Sequence, residues 1–309
     1  MKVHYDFENL NIKNPVVTTG TFDGVHIGHK AIINRLNKLA DENNGESVLI
    51  TFHPHPRKVL YPEGEGKDLK LINTQKEKIE MLGKTGLCHL IIIEFTVEFS
   101  KITSEEFLKD VLLKKLNADI IIVGFNHHFG YHRLGDYSYL YKLASKLGFK
   151  TEEIPEQELH HEKVSSTIIR KALNDGNIGR ANAYLDHYYI VSGNVINGTD
   201  IFKNTGLGTS CIDIIEEEKL LPPSGIYAVS VDIGQERVKG ITVIHEPGNK
   251  NKPVIEMSLL KSSSVEIAHE KSITLNFHKK INLFGKHQNF TDMCHLIEKG
   301  IKLVDELIY

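Results

Sequence analysis

The chain has 309 residues, of which 40% are hydrophobic and 25% are charged, and its formal net charge is −3 at pH 7. This length is enough for two hydrophobic cores, and the composition is that of an ordinary globular protein. A net charge this close to zero argues against electrostatic capture of nucleic acid.

The cysteines and the N-terminal residues exclude two further classes of protein. Cys88, Cys211 and Cys294 are widely separated and form no CxxC pair, which argues against a disulfide framework or a structural zinc site. The first residues, MKVHYD, lack the apolar segment of a signal peptide, and no apolar run approaches the length that crosses a bilayer. We therefore expect a cytoplasmic protein with no nucleic-acid or membrane partner. The sequence leaves the oligomeric state open.

Residues 16–29 predict a strand, a glycine-rich turn and the start of a helix. Val16–Thr19 is β-branched, and the apolar residues after position 29 recur at helical spacing. Residues 20–29 between them read GTFDGVHIGH. Glycines allow a close approach to phosphate, N–H groups at a helix start attract anions, and the spacing of His26 and His29 aims both imidazoles at one phosphorus centre. This pattern favours phosphate chemistry on a nucleotide; a turn with two solvated histidines is the alternative.

The rest of the first half alternates short apolar runs with amphipathic segments, which is typical of a parallel, doubly wound sheet. Three of the runs read as buried strands: residues 47–52, 90–93 and 119–123. Thr103 and Glu106 predict a capping box for one crossover helix, and Tyr137–Leu147 predicts another. Ligands bind beyond the carboxyl ends of the strands in such a sheet. Motifs that follow these strands are therefore expected to meet in one crevice.

Residues 20–29 resemble the signature of the HxGH nucleotidyltransferases, and specifically the FAD synthetase half of bacterial bifunctional riboflavin kinase/FAD synthetases. Three later segments resemble further motifs of that family, in the family's order: residues 51–56 (TFHPHP), 123–130 (VGFNHHFG) and 165–170 (SSTIIR). The resemblance implies that a phosphate oxygen of FMN attacks the α-phosphorus of ATP, giving FAD and pyrophosphate, with Mg²⁺ as cofactor. Two alternatives remain open: a nucleotidyltransferase for another phosphate ester, and a non-catalytic flavin sensor.

The resemblance also assigns roles to individual residues. His26 and His29 are expected to stabilise charge on the α-phosphate, while Asp23 positions the loop, holds Mg²⁺ through water, or only caps the turn. The other candidates for binding ATP or phosphate are Gly20, Phe22, Gly24, Gly28, Ser165, Ser166, Thr167 and Arg170. The candidates for contact with flavin or nucleotide are His53, Asn126, Phe129 and Arg133. Of these, Phe129 is equally compatible with a place in the core, and a plain N-cap is the alternative for residues 165–167.

After a helical pattern that runs to about Leu185, the chain changes character. The next apolar runs are separated by turn residues without intervening helices: residues 189–195, 225–231, 238–244, 254–260 and 272–281. This spacing predicts a compact antiparallel β-barrel. A terminal helix is predicted with Thr291 as N-cap and an apolar stripe of Ile297, Ile301, Val304 and Ile308. We place the domain boundary at residues 185 and 186, between a nucleotidyltransferase domain (1–185) and a barrel domain (186–309).

The second half resembles the riboflavin kinase domain, in which Glu256 matches the position of the general base. The family's Thr and Asn that hold Mg-ATP are replaced by Cys211 and Asp213, and its usual arginine is absent. A neutral thiol is a poor ligand for a hard cation, whereas an Asp is able to bind one. Residues 261–264 (KSSS) replace an expected Asp-rich stretch. We therefore expect little conversion of riboflavin to FMN; a barrel that only packs against the first domain, or that binds flavin without phosphorylating it, is the alternative.

Overall fold

The structure, a computed structural model, describes residues 1–125, 128–156, 158–159, 162–198, 201–202, 205–233, 236–246, 253–260, 271–284 and 290–308. The chain divides into two compact units. The first unit contains Met1–Lys70 and Lys78–Val164, and the second contains Leu71–Glu77 and Ser165–Tyr309. Within the described residues, no helix combines the length and apolarity needed to span a membrane.

The first unit is built on a six-stranded sheet in which every pairing is parallel. Its strands are β1 (Lys2–His4), β2 (Val16–Thr19), β3 (Ser47–His53), β4 (His89–Glu94), β5 (Ile120–Gly124) and β6 (Lys150–Ile154). A short antiparallel pair follows, β7 (Glu158–Leu159) with β8 (Glu162–Lys163).

Helices cover both faces of this sheet. The helices that lie wholly or partly in this unit are α1 (Ile27–Glu42), α2 (Pro56–Leu60), α3 (Gln75–Gly83), α4 (Ser104–Glu106) and α5 (Tyr137–Leu147). The predicted capping box of Thr103 and Glu106 is confirmed at the start of α4, which continues with π-helical hydrogen bonding over Phe107–Lys115. Helix α3 begins in the second unit and enters the first at Lys78.

Two hydrophobic cores explain why the central strands, β2 to β5, are apolar on both faces. In one core, side chains such as Val17, Ile50 and Ile121 pack against residues of the π-helical segment. The other takes the alternate strand residues, such as Leu49 and Ile122, and packs them against α1 and other residues. Because the central strands β2, β3, β4 and β5 are buried on both sides, their sequences are largely apolar, whereas the edge strands β1 and β6 are partly exposed and carry charged residues. The predicted parallel, doubly wound sheet is confirmed.

The strand order β1-β4-β3-β2-β5-β6 reverses direction beside β2. From β2 the chain builds outward through β3 and β4, and then returns to place β5 on the other side of β2. In an open parallel sheet, the crevice at such a reversal lies beyond the carboxyl ends of the strands and is where ligands bind. The segments that follow β2, β3 and β5 therefore border the natural ligand site of the first unit.

The second unit begins, apart from segment 71–77, with helices α6 (Ser166–Asn174) and α7 (Ile178–Leu185). Six antiparallel strands then close a barrel in the order β10-β13-β12-β11-β14-β9. They are β9 (Tyr189–Asn197), β10 (Ser210–Asp213), β11 (Gly225–Ile233), β12 (Glu236–His245), β13 (Val254–Leu259) and β14 (Ser272–Leu283). The predicted antiparallel barrel is confirmed.

Helix α8 (Phe290–Leu307) closes one face of the barrel. The predicted stripe is confirmed, because Ile297, Val304 and Ile308 are buried against barrel residues that include Ile226 and Val243. The predicted N-cap at Thr291 is wrong, since α8 already begins at Phe290. An apolar stripe determines which face of a helix is buried but not its first residue.

Segment 71–77 is fixed to the barrel unit by a strand-like bridge and a buried ion pair. The amide of Leu71 donates to the carbonyl of Glu218, and the amide of Leu220 donates to that of Leu71. The Lys219 Nζ lies 2.6 Å from Glu77 Oε2, and both side chains are at most 1% exposed. Further donors to the Glu77 carboxylate, among them the Ser192 amide at 2.8 Å, offset the cost of burying the charges.

Candidate functional site

The loop between β2 and α1, residues 20–26, has an unusual backbone. Phe22, Gly24 and Val25 have φ angles of 48°, 96° and 42°. The left-handed region is natural for Gly24 but strained for Phe22 and above all for the β-branched Val25. Burial of the Phe22 and Val25 side chains holds the backbone in this form. Such strain clusters at sites where a chain must present particular groups.

The two histidines of the motif form a stack at the N-terminus of α1. His26 is the N-cap, and its Nδ1 accepts a hydrogen bond from the His29 amide at 3.4 Å. The ring centroids of His26 and His29 are 3.6 Å apart, and the ring of Phe22 also stacks on His29, with a centroid distance of 4.5 Å. Because Nδ1 of His26 is an acceptor, the neutral ring carries its proton on Nε2. The helix start therefore presents an imidazole N–H beside its own amide groups.

His29 is neutral at pH 7. Burial, the neighbouring His26 and the charge of Lys78 together hold the pKa of His29 well below its ordinary value of 6.5. Its Nδ1 is buried and, among the described residues, has no hydrogen-bond partner. A buried polar atom without a partner is costly, and sites that bind ligands are where such atoms are tolerated.

Asp23 lies in the same loop and is only 4% exposed. In the part of the chain that the structure describes, no three His, Cys, Asp or Glu side chains form a group able to hold a metal ion. Mg²⁺ does not require such a group, because it is often held by one or two carboxylates together with water and phosphate oxygens. A single carboxylate beside a phosphate site therefore fits Mg²⁺. The loop glycines Gly20 and Gly24 and, in the first turn of α1, Gly28 lie in the same stretch.

The second motif follows β3, the neighbour of β2 in the sheet. His53 ends this strand and is exposed. His55 instead caps α2, with its Nδ1 accepting from the Arg57 amide at 3.2 Å. His53 is therefore the histidine of this motif whose ring is turned to solvent at the strand end.

The third motif follows β5 on the other side of β2. Asn126 and the side chain of Arg133 lie outside the described residues. Phe129 is partly buried, with its ring 6.1 Å from that of Phe107 in the core. Phe125, the first residue after β5, is 47% exposed and was not among the sequence candidates. The sequence feature that could have identified Phe125 is an aromatic residue directly after a buried apolar strand.

The fourth motif lies in the second unit, at the start of α6. Ser165 is the N-cap, and its Oγ accepts from the Ile168 amide at 3.4 Å. Ser166 and Thr167 occupy the first turn, and Arg170, half-buried, follows one turn later. Beyond this cap, the amide groups at the N-terminus of α6 lie where a helix favours an anion.

The barrel brings together three residues that the sequence analysis singled out: Cys211 and Asp213 on β10, and Glu256 on β13. Cys211 lies directly opposite Glu256 in the antiparallel pairing, and Asp213, exposed, ends β10. Glu256 is fully buried, and its Oε1 lies 3.5 Å from Nε2 of His245 on β12. Sequence reasoning missed His245. Val243 pairs with Glu256, and His245 lies two residues further along the same strand. Because side chains alternate between the two faces of a strand, His245 is on the same face as Val243, and this spacing is the signal that could have identified it.

Two glycines, Gly193 in β9 and Gly198 just after it, are required by close packing. A Cβ on Gly193 would lie 2.5 Å from the carbonyl oxygen of Asp213, and one on Gly198 would lie 2.5 Å from a methyl group of Thr209. Both glycines thus allow the segment that contains Cys211 to approach β9 closely. For Mg²⁺ at this place, Asp213 is a suitable oxygen ligand, whereas the thiol of Cys211 is not.

Comparison with known proteins matches two family models to successive parts of the chain. Residues 9–168 match the family model for FAD synthetase, and residues 185–308 match that for riboflavin kinase. A bifunctional riboflavin kinase/FMN adenylyltransferase from Listeria monocytogenes is 31% identical over 231 residues, which cover 75% of this chain and 72% of the relative. The protein of that name from Buchnera aphidicola is 34% identical, covering 74% and 71%. The one from Bacillus subtilis is 29% identical, covering 92% and 89%.

A solved structure described as a macrolide-efflux protein from Streptococcus pneumoniae has a TM-score of 0.85, with 98% of each chain covered. At 23% sequence identity, this likeness shows the fold alone. The two family models and the relatives decide the family. This chain belongs to the bifunctional riboflavin kinase/FMN adenylyltransferases.

Proposed function

We propose that the protein transfers the adenylyl group of ATP to FMN, giving FAD and pyrophosphate. The observation that carries the proposal is the pair of stacked imidazoles at the N-terminus of α1, presented by a strained loop at the reversal point of the sheet. A helix start with two imidazoles suits a reaction whose central difficulty is negative charge on phosphate oxygens. FMN as the acceptor is supported by the family and by the flavin-type second and third motifs.

The reaction needs no covalent enzyme intermediate. A phosphate oxygen of FMN forms a bond to the α-phosphorus, and the bond from that phosphorus to the bridging oxygen breaks, so that pyrophosphate leaves with the electron pair. The protein's part is to align the two polyanions and to stabilise the extra charge in the transition state. His26, through Nε2–H, and the neutral His29 are assigned this stabilisation, aided by the amides of the first turn of α1.

The remaining candidates bind rather than react. Mg²⁺, when bound, offsets phosphate charge, and Asp23 is the residue proposed to hold it or to position the loop. Ser165, Ser166, Thr167 and Arg170 are proposed to grip the ATP phosphates. His53, Asn126, Phe129 and Arg133 are proposed to contact flavin or nucleotide, although the packing of Phe129 against Phe107 gives that residue a core role as well. We also propose that the domain boundary lies near residue 185. The proposed location is the cytoplasm, and no nucleic-acid partner is proposed.

We propose that the barrel unit phosphorylates riboflavin weakly or not at all. Glu256 is suited to act as general base, but Cys211 stands directly opposite it where the resemblance calls for a Thr hydroxyl. A general base alone does not catalyse phosphoryl transfer, because the protein must also bind and position Mg-ATP. Binding of flavin without phosphorylation, or a packing role alone, is then what remains for the barrel.

The proposed function is tested by incubating the protein with FMN, Mg²⁺ and ATP labelled in its α-phosphate. We expect the label in FAD and one pyrophosphate released for each FAD formed. Retained FMN binding without labelled FAD would favour a flavin sensor. Transfer of the label to another phosphate ester, but not to FMN, would favour a different nucleotidyltransferase. In the same assay, riboflavin supplied in place of FMN should yield little FMN.

A further inference from the structure

Lys78 is a buried lysine at the carboxyl ends of the central strands, and none of the motifs contains it. It is 7% exposed. Its Nζ lies 3.2 Å from Oγ1 of Thr51, on β3, and 3.4 Å from the carbonyl oxygen of Thr21, in the loop that follows β2. The Thr51 hydroxyl also donates to the Thr21 carbonyl at 3.2 Å. These contacts tie the ammonium group to the first residues of the loop that presents His26.

These two acceptors, a hydroxyl and a carbonyl oxygen, hold the ammonium group at a fixed place beside the loop. Because Lys78 is buried, the surroundings of the ammonium group screen its charge less than water does. A buried cation that lies beside a proposed site for polyanions is suited to offset phosphate charge.

The charge of Lys78 also acts on the imidazole stack. It is one of the causes that lower the pKa of His29, after burial and His26. The ammonium group therefore lies near enough to His29 for its field to matter. The same field extends over the region where the imidazoles would meet phosphate, because low-dielectric surroundings strengthen Coulomb interactions.

We propose that Lys78 is a positioning and electrostatic residue of the adenylyl-transfer site, which holds the loop through Thr21 and offsets the charge that gathers on the reacting phosphates. The inference rests on the proposed function and deepens it, since the substrate class is the same nucleoside triphosphate. Lys78 acts on the transition state more than on substrate binding, because the charge it offsets is greatest there.

The test compares Lys78→Met, which removes the charge at similar length, with Lys78→Arg, which keeps it. We expect Lys78→Met to lower kcat for FAD formation about 10²-fold while KM for FMN changes less than about threefold. Lys78→Arg should recover most of kcat. Lys38→Met is the matched control, because Lys38 is an exposed residue on α1 paired with Glu42, and it should leave kcat unchanged.

A purely structural role would give a different result. A structural role predicts that Lys78→Met lowers the melting temperature, and that kcat falls only as much as the amount of folded enzyme falls. It also predicts that Lys78→Arg restores kcat only to the extent that it restores stability. That result would overturn the inference, as would a kcat for Lys78→Met equal to wild type. If Lys78→Met does not fold, Thr51→Val serves as the test instead, because it removes the hydroxyl that holds the ammonium group. This variant should lower kcat about tenfold. An unchanged kcat would contradict the inference. Wild-type protein that forms no FAD would instead refute the proposed function itself.

Discussion

At the residue scale, Cys211 is a position at which this chain departs from the riboflavin kinase pattern that it resembles, because a thiol stands in place of a Thr hydroxyl. Its side chain faces that of Glu256 across two paired strands, where side chains directly opposite lie close together. A thiol there offers Mg-ATP a soft, weakly polar group in place of a hydroxyl. The residue proposed as general base, Glu256, is thus present, whereas one residue proposed to bind the nucleotide is replaced.

We predict that Cys211→Thr raises the rate of FMN formation from riboflavin and ATP about tenfold, because it restores an oxygen ligand for Mg-ATP. Adding Asp213→Asn to the same protein should raise the rate further. The measurement is chromatographic separation of FMN from riboflavin after incubation with ATP and Mg²⁺. Cys88→Thr is the control for a general effect of thiol removal, because Cys88 lies in the first unit. Efficient FMN formation by the wild-type protein would contradict the account of Cys211.

Residues that belong to a contiguous motif were predictable, and residues that only folding brings together were not. His26 and His29 are visible in the sequence because their spacing and glycines sit in one run of ten residues. Lys78 and His245 were missed. Each owes its place to a neighbour far along the chain, Thr21 or Thr51 for Lys78 and Glu256 for His245. The helix cap was one of the two alternatives for residues 165–167, and the structure assigns it to the Ser165 hydroxyl.

At the scale of elements, the junction between α6 and α7 depends on one glycine. Gly176 has a φ of 68°, and its amide donates to the carbonyl of Leu173 at the end of α6. This left-handed conformation allows the chain to leave one helix and begin the next, starting at Ile178, within a few residues.

We predict that Gly176→Ala lowers the free energy of unfolding by about 1–2 kcal/mol, because an L-residue is strained at this φ. An added Cβ would also lie 3.2 Å from Cδ of Lys280. The matched control is Gly179→Ala in α7, where a Cβ meets nothing within 4 Å and the helix should gain about 0.5–1 kcal/mol. Urea denaturation of both variants measures the two effects. Equal stability of the two variants would show that the backbone conformation at Gly176 carries no cost.

Elements with a strong periodicity or a β-branched run were predictable, and an element that lacks such a run was not. The first-half strand predictions at residues 16–19, 47–52, 90–93 and 119–123 agree with β2, β3, β4 and β5 to within one residue at either end. Strand β10 was not predicted. Its four residues carry no apolar run of their own, and its structure depends on pairing with β9 and β13.

At the scale of the whole molecule, the most informative discrepancy is the placement of Leu71–Glu77 in the second unit. Local sequence periodicity contains no information about this assignment. It depends on backbone pairing of Leu71 with the segment around Lys219 and on the buried ion pair of Glu77 with Lys219. These contacts join positions far apart in the chain, and sequence patterns report only near neighbours.

The stability of the whole chain is expected to fall on the acid side because of His278. Burial, followed by the charge of Arg237, lowers the pKa of His278 from 6.5 to about 4, and its Nε2 is hydrogen-bonded to Ser230 Oγ at 2.8 Å. The unfolded chain therefore takes up a proton near pH 6.5 that the folded chain refuses until about pH 4. This contribution to stability is complete above pH 6.5 and is lost as the pH falls toward 4.

We predict that, between pH 7 and pH 4.5, the wild-type protein loses about 2 kcal/mol more stability than His278→Gln, which keeps a polar group but does not titrate. Thermal or urea unfolding at the two pH values gives the difference. His295→Gln is the control, because His295 is exposed and should lose as much stability as the wild type. The same acid loss in wild type and His278→Gln would show that His278 does not carry this dependence.

The central claim is that the imidazole pair acts on the transition state of adenylyl transfer, and His29→Ala tests it most directly. Single-turnover formation of FAD should fall about 10²–10³-fold, because one preorganised donor to the reacting phosphate is lost. The dissociation constant for FMN should change less than about threefold. An equal loss of FMN binding and of rate, or an unchanged rate, would contradict the account.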